Sequence, residues 1–218
     1  MANWKMRKRL CAGVLGALSV GVGATNASAQ GKLGAQPPVT YTNRYEGFAG
    51  ISFDNFQAGQ NLTQRMNLAG IEVQGTMWLN QRWGAVLDFR GDAGTTPVFP
   101  NPYNANRVLV YRETGMAGGQ MRWLKNQYAA VNLHAFGGVS HGVFDQGVSV
   151  APQVVGLYTN RTKPMGAVGG SIEFNRSAWL AFRLSPDLIL EHFGTETREF
   201  VSVTGGVVYR FGQRTKRQ

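Results

Sequence analysis

Apolar residues recur at every second position along most of this chain, in eight separate runs. Alternation with period two marks a half-buried strand, and no window holds the three-and-four spacing of a helix beyond two turns. The first run, YEGFAGISF, sets Tyr45, Gly47, Ala49, Ile51 and Phe53 on one face. In the second, LAGIEVQGTMWL, Ala69, Ile71, Val73, Gly75, Met77 and Leu79 oppose Gly70, Glu72, Gln74 and Thr76. WGAVLDFRG places Trp83, Ala85, Leu87 and Phe89 against Gly84, Val86, Asp88 and Arg90. VYRETGMAGGQMRWL alternates Tyr111, Gly115, Ala117, Met121 and Trp123 with Arg112, Thr114, Gln120 and Arg122. YAAVNLHAFGGV sets Ala129, Val131, Leu133, Ala135 and Val139 against Asn132 and His134. PMGAVGGSIEF, AWLAFRLSPD and FVSVTGGVVYRF complete the set, the seventh run opposing Leu180, Phe182 and Leu184 to Arg183, Ser185 and Asp187.

The connections between runs alternate in length. NQR at 80–82, KNQ at 125–127 and NRS at 175–177 are tight, whereas DNFQAGQNLTQRMN, DAGTTPVFPNPYNAN, the stretch from about Ser140 to Thr162 and LILEHFGTETRE are long. Eight such segments predict an all-β, antiparallel up-and-down barrel over residues 44–212, with long loops at one rim and tight turns at the other.

Alternation alone fits two kinds of barrel. A soluble barrel or sandwich turns its apolar face inward, and a transmembrane barrel turns it to lipid. Three features favour the membrane. The apolar face of the second, fifth and eighth runs carries no charge across its centre. Aromatics stand at segment ends, where an interfacial girdle belongs: Trp78, Trp83, Trp123, Tyr128, Phe174, Trp179, Tyr209 and Phe211. The opposite face bears Glu46, Glu72, Asp88, Arg90, Arg112, Arg122, Arg183, Asp187 and Arg210, charges of both signs that can neutralise one another in a lumen. Backbone groups in hydrocarbon must all be paired, so the first segment is expected to meet the eighth.

The ends of the chain agree with export. Residues 1–29 read as a signal peptide: Lys5, Arg7, Lys8 and Arg9 precede an uncharged apolar stretch, and Ala27-Ser28-Ala29 suits cleavage. The apolar stretch is short and rich in glycine for a transmembrane helix. Cys11 leaves with the leader, so the exported chain has no thiol for a disulfide or a Cys-bound metal. Losing the leader's four basic residues takes the 22 Lys and Arg to 18 against 12 Asp and Glu, a net charge of +6. For an exported chain that points to anionic lipid headgroups and away from nucleic acid. A polar lead, 30–43, precedes the barrel, and a basic tail, 213–218, follows it.

The last run aligns Val201, Val203, Gly205, Val207, Tyr209 and Phe211 on one face and stops at an aromatic. It resembles the C-terminal strand signature of bacterial outer-membrane barrels, which the barrel assembly machinery reads. Over residues 44–212 the chain is similar to the small eight-stranded outer-membrane families, the OmpA-like, OmpX-like and opacity-type barrels. The resemblance implies location in a bacterial outer membrane and the assembly machinery as a partner. One departure is that GQRTKRQ follows Phe211, whereas the family usually ends on the aromatic.

Candidate chemistry is sparse. His134 is expected in the lumen; Ser140 and His141, with Asp145 nearby, could in principle activate a hydroxyl for acyl transfer. Adjacent residues on a strand face opposite ways, which separates that pair. His192 beside Glu191 has no specific partner, metal-ligand spacing is lacking, and Gly137-Gly138 and Gly169-Gly170 precede no helix that would make them a phosphate cradle. No cofactor is expected. The functional reading is a non-enzymatic structural or surface-interaction barrel with a lumen filled by side chains. A narrow porin-like channel is the alternative, and a lipid-modifying enzyme comes third. Phe99, Tyr103, Phe144 and Tyr158 in the long loops are candidates for contacting an external ligand.

Overall fold

The computed structural model describes residues 39–213, apart from 60–61, 63–64, 99–100, 104, 147–149 and 193–194; the signal peptide expected over residues 1–29 lies outside the described residues. Eight strands run β1 Asn43–Phe56, β2 Met66–Trp78, β3 Trp83–Pro97, β4 Arg107–Lys125, β5 Ala129–Gln146, β6 Arg161–Asn175, β7 Leu180–Glu191 and β8 Arg198–Gln213. Each pairs antiparallel with the next, and β1 pairs with β8 from Asn43↔Gln213 to Asp54↔Ser202, so the sheet closes. Closure removes both edges.

One device builds all three tight turns. A side-chain oxygen at the start of the turn accepts two backbone N–H groups, holding the chain in a tight reversal. Asn80 Oδ1 takes the N–H groups of Arg82 (2.8 Å) and Trp83 (2.7 Å). Asn126 Oδ1 takes those of Tyr128 (2.8 Å) and Ala129 (2.7 Å). Ser177 Oγ takes those of Trp179 (3.3 Å) and Leu180 (3.0 Å). The three turns gather at one end, and both chain ends of the barrel lie there too.

At the other end the strands run further than the alternation predicts. Residues 92–97, 140–146 and 188–191, read from sequence as loop, are strand. Strand pairing continues there because the cross-strand partners are present, with Thr96 opposite Val108, His141 opposite Glu113 and Glu191 opposite Arg198. Glycine and proline content had suggested loop; backbone pairing outweighs it.

The outer wall has a sharp boundary. Outward positions over 45–53, 69–77, 83–93, 115–123, 131–139, 164–174, 182–190 and 201–211 are all apolar, glycine or tyrosine. Those spans are nine to eleven residues long, the length a tilted strand needs to cross hydrocarbon. Phe53, Leu87 and Phe89 are 60%, 56% and 58% exposed. Towards the long loops, the next outward position in each run is polar: Asn55, Asn67, Thr95, Glu113, His141, Thr162 and Glu199 on their strands, and His192 just past the end of β7.

Inside, the pattern inverts. Ionic and amide side chains fill much of the lumen, while its long-loop end is an apolar plug of Phe56, Met66, Leu68, Val108, Val110 and Phe144. Ala58 and Leu62 from the β1–β2 loop and Val155, Leu157 and Tyr158 from the β5–β6 loop complete that plug. The Tyr158 N–H donates to the Ala58 carbonyl (2.9 Å), tying the two loops together. Above the apolar band the outer face turns mainly polar, with Leu109 and Tyr111 still exposed on β4, while apolar side chains pack inside.

Candidate functional site

The lumen is the place where this chain concentrates its chemistry. All nine ionic residues assigned there from sequence are buried, and they form three groups with five more: Asp54, Asp92, His134, Glu173 and Glu191.

Near the tight turns, three arginines share two glutamates. Arg183 Nη2 donates to Glu173 Oε1 (2.6 Å) and to Glu46 Oε2 (3.3 Å). Arg122 Nη2 and Arg210 Nε both donate to Glu46 Oε1, at 2.7 and 3.2 Å, and Arg210 Nη2 also bonds Glu173. Gln74 and Asn132 take up the remaining valences, accepting from Arg183 Nη1 (2.5 Å) and donating to Glu173 Oε1 (2.7 Å) respectively.

In the middle, Arg90 stands among Glu72 (3.3 Å), Asp88 (3.0 Å) and Asp187 (2.7 Å). His134 Nε2 lies 2.6 Å from the other Asp187 oxygen, and its ring stacks on Phe136 with centroids 4.6 Å apart. The Thr204 hydroxyl donates to Glu72 (2.6 Å). Towards the long loops, Arg112 meets Asp54, Asp92 (2.9 Å) and Glu191 (3.3 Å), with the Phe56 and Phe200 rings 5.4 and 5.0 Å from its guanidinium carbon. Ser52 donates to Asp92 at 2.5 Å. Charges this deep are tolerated because each is paired and hydrogen-bonded.

Two glycines make room for two of these carboxylates. Gly70 pairs with Asp92 and Gly169 with Asp187. A Cβ on either glycine would collide with the facing carboxylate and the neighbouring carbonyl. The wall is thinned where an anion must lie flat against it.

The four missed acids had a readable signal. Asp54, Asp92 and Glu191 continue the inward parity of Glu46, Asp88 and Asp187 past the segment ends, and Glu173 shares the inward face of the sixth run.

Of the aromatics assigned to a girdle, Trp83, Trp123, Tyr128, Phe174, Trp179, Tyr209 and Phe211 are exposed on the outer wall around the tight turns. Trp78 departs from that expectation. It has the parity of Glu72 and Thr76, is 2% exposed, and lies inside the barrel with its ring 3.8 Å from the Arg122 guanidinium carbon. Its position beside a turn suggested an interfacial ring, but parity decides the face.

The proposed loop aromatics separate likewise. Tyr103 is exposed, Phe144 and Tyr158 are buried in the apolar plug, and Phe99 lies outside the described residues. Ser140 is fully buried and His141 exposed, because both are on β5 with opposite parity. His141 Nδ1 instead contacts Thr162 Oγ1 (2.9 Å), so no Ser-His pair forms. Among the described residues no three His, Cys, Asp or Glu side chains converge to hold a metal ion.

No protein-family model matches the chain, and no curated protein does. Solved structures do. Neisserial surface protein A is similar at 9% identity and a TM-score of 0.58, covering 77% of this chain and 97% of its own. Ail, the attachment invasion locus protein of Yersinia pestis, aligns at 15% identity over 78% of this chain and 99% of its own, with a TM-score of 0.49. The N-terminal β-barrel domain of Pseudomonas aeruginosa OprF aligns at 8% identity over 78% and 98%, with a TM-score of 0.41. The first of these carries the comparison, and with the closed eight-strand topology it assigns the architecture. The chain has the fold of the small eight-stranded outer-membrane β-barrels.

Proposed function

We propose that this protein is an integral outer-membrane barrel, exported through a signal peptide cleaved after Ala29, that acts as a structural or surface-interaction element and not as an enzyme or a pore. The observation that carries the reading is the unbroken apolar band, nine to eleven residues tall on every strand and followed towards the long loops by a polar outward position on all eight. Exposed in water, so large an apolar surface would drive association; in lipid it is the required one. The aromatic ring around the tight turns suits a membrane interface, and the long loops then face outward. Lipid, including anionic headgroups, and the barrel assembly machinery are the partners this reading implies.

A filled interior is favoured over a channel by two features. Ion pairs span the lumen from wall to wall, and the long-loop end is packed with apolar side chains. Surface interaction is then left to the polar neck and the loops above the band. The test is expression of the full chain in a Gram-negative host. The reading expects a mature N-terminus at Gln30, recovery with outer membranes, and faster gel migration before heating than after. Recovery in the soluble fraction with unchanged migration would overturn it.

A further inference from the structure

The residues leading into β1 do not trail away from the barrel; they cross its tight-turn mouth. Tyr41 has φ 53, a left-handed backbone uncommon for a bulky residue, and the resulting turn directs its ring under the barrel. The side chain is 4% exposed. Its hydroxyl reaches the far wall, donating towards the carbonyls of Asn126 (2.8 Å) and Ala129 (3.1 Å) and accepting from Asn175 Nδ2 (2.6 Å). In a closed ring of eight strands β5 is opposite β1, so the lead's backbone and this side chain together tie the start of β1 to the far wall.

The ring also covers cations. The guanidinium carbons of Arg122 and Arg210 lie 4.5 and 5.1 Å from its centroid, and Lys125 Nζ lies at 5.8 Å. Arg122 is thereby held between the Tyr41 and Trp78 rings. Behind the ring, Arg122, Arg183 and Arg210 face only two carboxylates, Glu46 and Glu173, and Arg122 Nε has no hydrogen-bond acceptor among the described residues. A π face is the neutral surface best able to cover surplus positive charge. Burial raises the phenol's pKa, against the Asn175 hydrogen bond and Arg210, so the hydroxyl keeps the proton it donates.

We propose that Tyr41 is a latch: it seals the tight-turn mouth of the lumen and closes off a basic vestibule, formed by Arg122, Arg210 and Lys125, that would otherwise admit small anions. Because the apolar plug blocks the opposite end, opening the latch exposes a blind pocket and not a through channel.

The exported chain has no cysteine, so one introduced thiol reports access cleanly. Ala130, 1% exposed and inward-facing at the start of β5, is the place for it. The folded Ala130→Cys protein is treated with a small anionic methanethiosulfonate and with its cationic counterpart, with Tyr41 intact or replaced. With Tyr41 present, both reagents label slowly. Tyr41→Ala raises the labelling rate about tenfold or more, as expected when a closed segment opens, and the anionic reagent leads. Tyr41→Phe keeps the ring over the cations and loses its hydroxyl anchors, so its rate falls between the two and carries the test if Tyr41→Ala does not fold. A Tyr41→Ala rate equal to the parent's, free labelling with Tyr41 in place, a Tyr41→Phe rate no different from the parent's, or no preference for the anionic reagent overturns the proposal. Heat-modifiable migration in the same samples shows the barrel folded, so failure of the latch is distinguishable from failure of the membrane-barrel reading.

Discussion

Arg90 on β3 donates to Asp187 on β7 across 2.7 Å, and in a closed eight-strand sheet those two strands are diametrically opposite. A single ion pair thus spans the interior. Since Arg90 also contacts Glu72 and Asp88, removing it leaves three buried carboxylates without their shared cation. Arg90→Ala is expected to cost about 3–5 kcal/mol of stability, the usual penalty for breaking a buried pair from one side. Urea unfolding of the refolded barrel in detergent checks it.

The wall behind Asp187 gives a second expectation. A methyl group at Gly169 competes with that carboxylate for the same space, so Gly169→Ala pushes Asp187 off Arg90 and His134. The expected loss is about 1–3 kcal/mol, typical of overpacking. Gly75→Ala, at an outward glycine with nothing within 4 Å of the added carbon, is the control and is expected to be nearly neutral by the same measurement.

The band makes a depth-dependent claim. Val73 is at the middle of the β2 span, and Asn67 is the first polar residue beyond it. Val73→Arg is expected to destabilise insertion by about 2–4 kcal/mol, and Asn67→Arg by less than about 1 kcal/mol. Reversible unfolding from liposomes measures both; equal costs would place the band wrongly.

The tryptophans can be told apart optically. With the leader removed, the chain has Trp78, Trp83, Trp123 and Trp179. In single-tryptophan variants, brominated lipid is expected to quench Trp83, Trp123 and Trp179 and to leave Trp78 bright, because its ring lies against Arg122 inside the wall.

Strand number, order and the lipid-facing side were legible because period-two alternation is a local property, and a charge such as Asp88 or Arg183 labels its whole face. Three things were less legible. Strand ends past Asp92, Ser140 and Leu188 depend on the neighbouring strand offering partners, which no local composition reports. The inversion of polarity at Phe56, Val108 and Phe144 is carried by loop residues folding back into the barrel, a contact between distant segments. Tyr41 sits in a polar lead with no periodicity, and only the closed barrel brings it beside Asn175 and Arg122. Trp78 was readable from parity; its nearness to a turn obscured it.

The apolar outer wall needs a non-aqueous solvent. Residues 30–218, refolded from denaturant with and without lipid vesicles, test this most directly. The expected result is strand circular dichroism and heat-sensitive compact migration only when vesicles or detergent are present, with aggregation in buffer alone. A folded, monodisperse species in buffer without any amphiphile would contradict it.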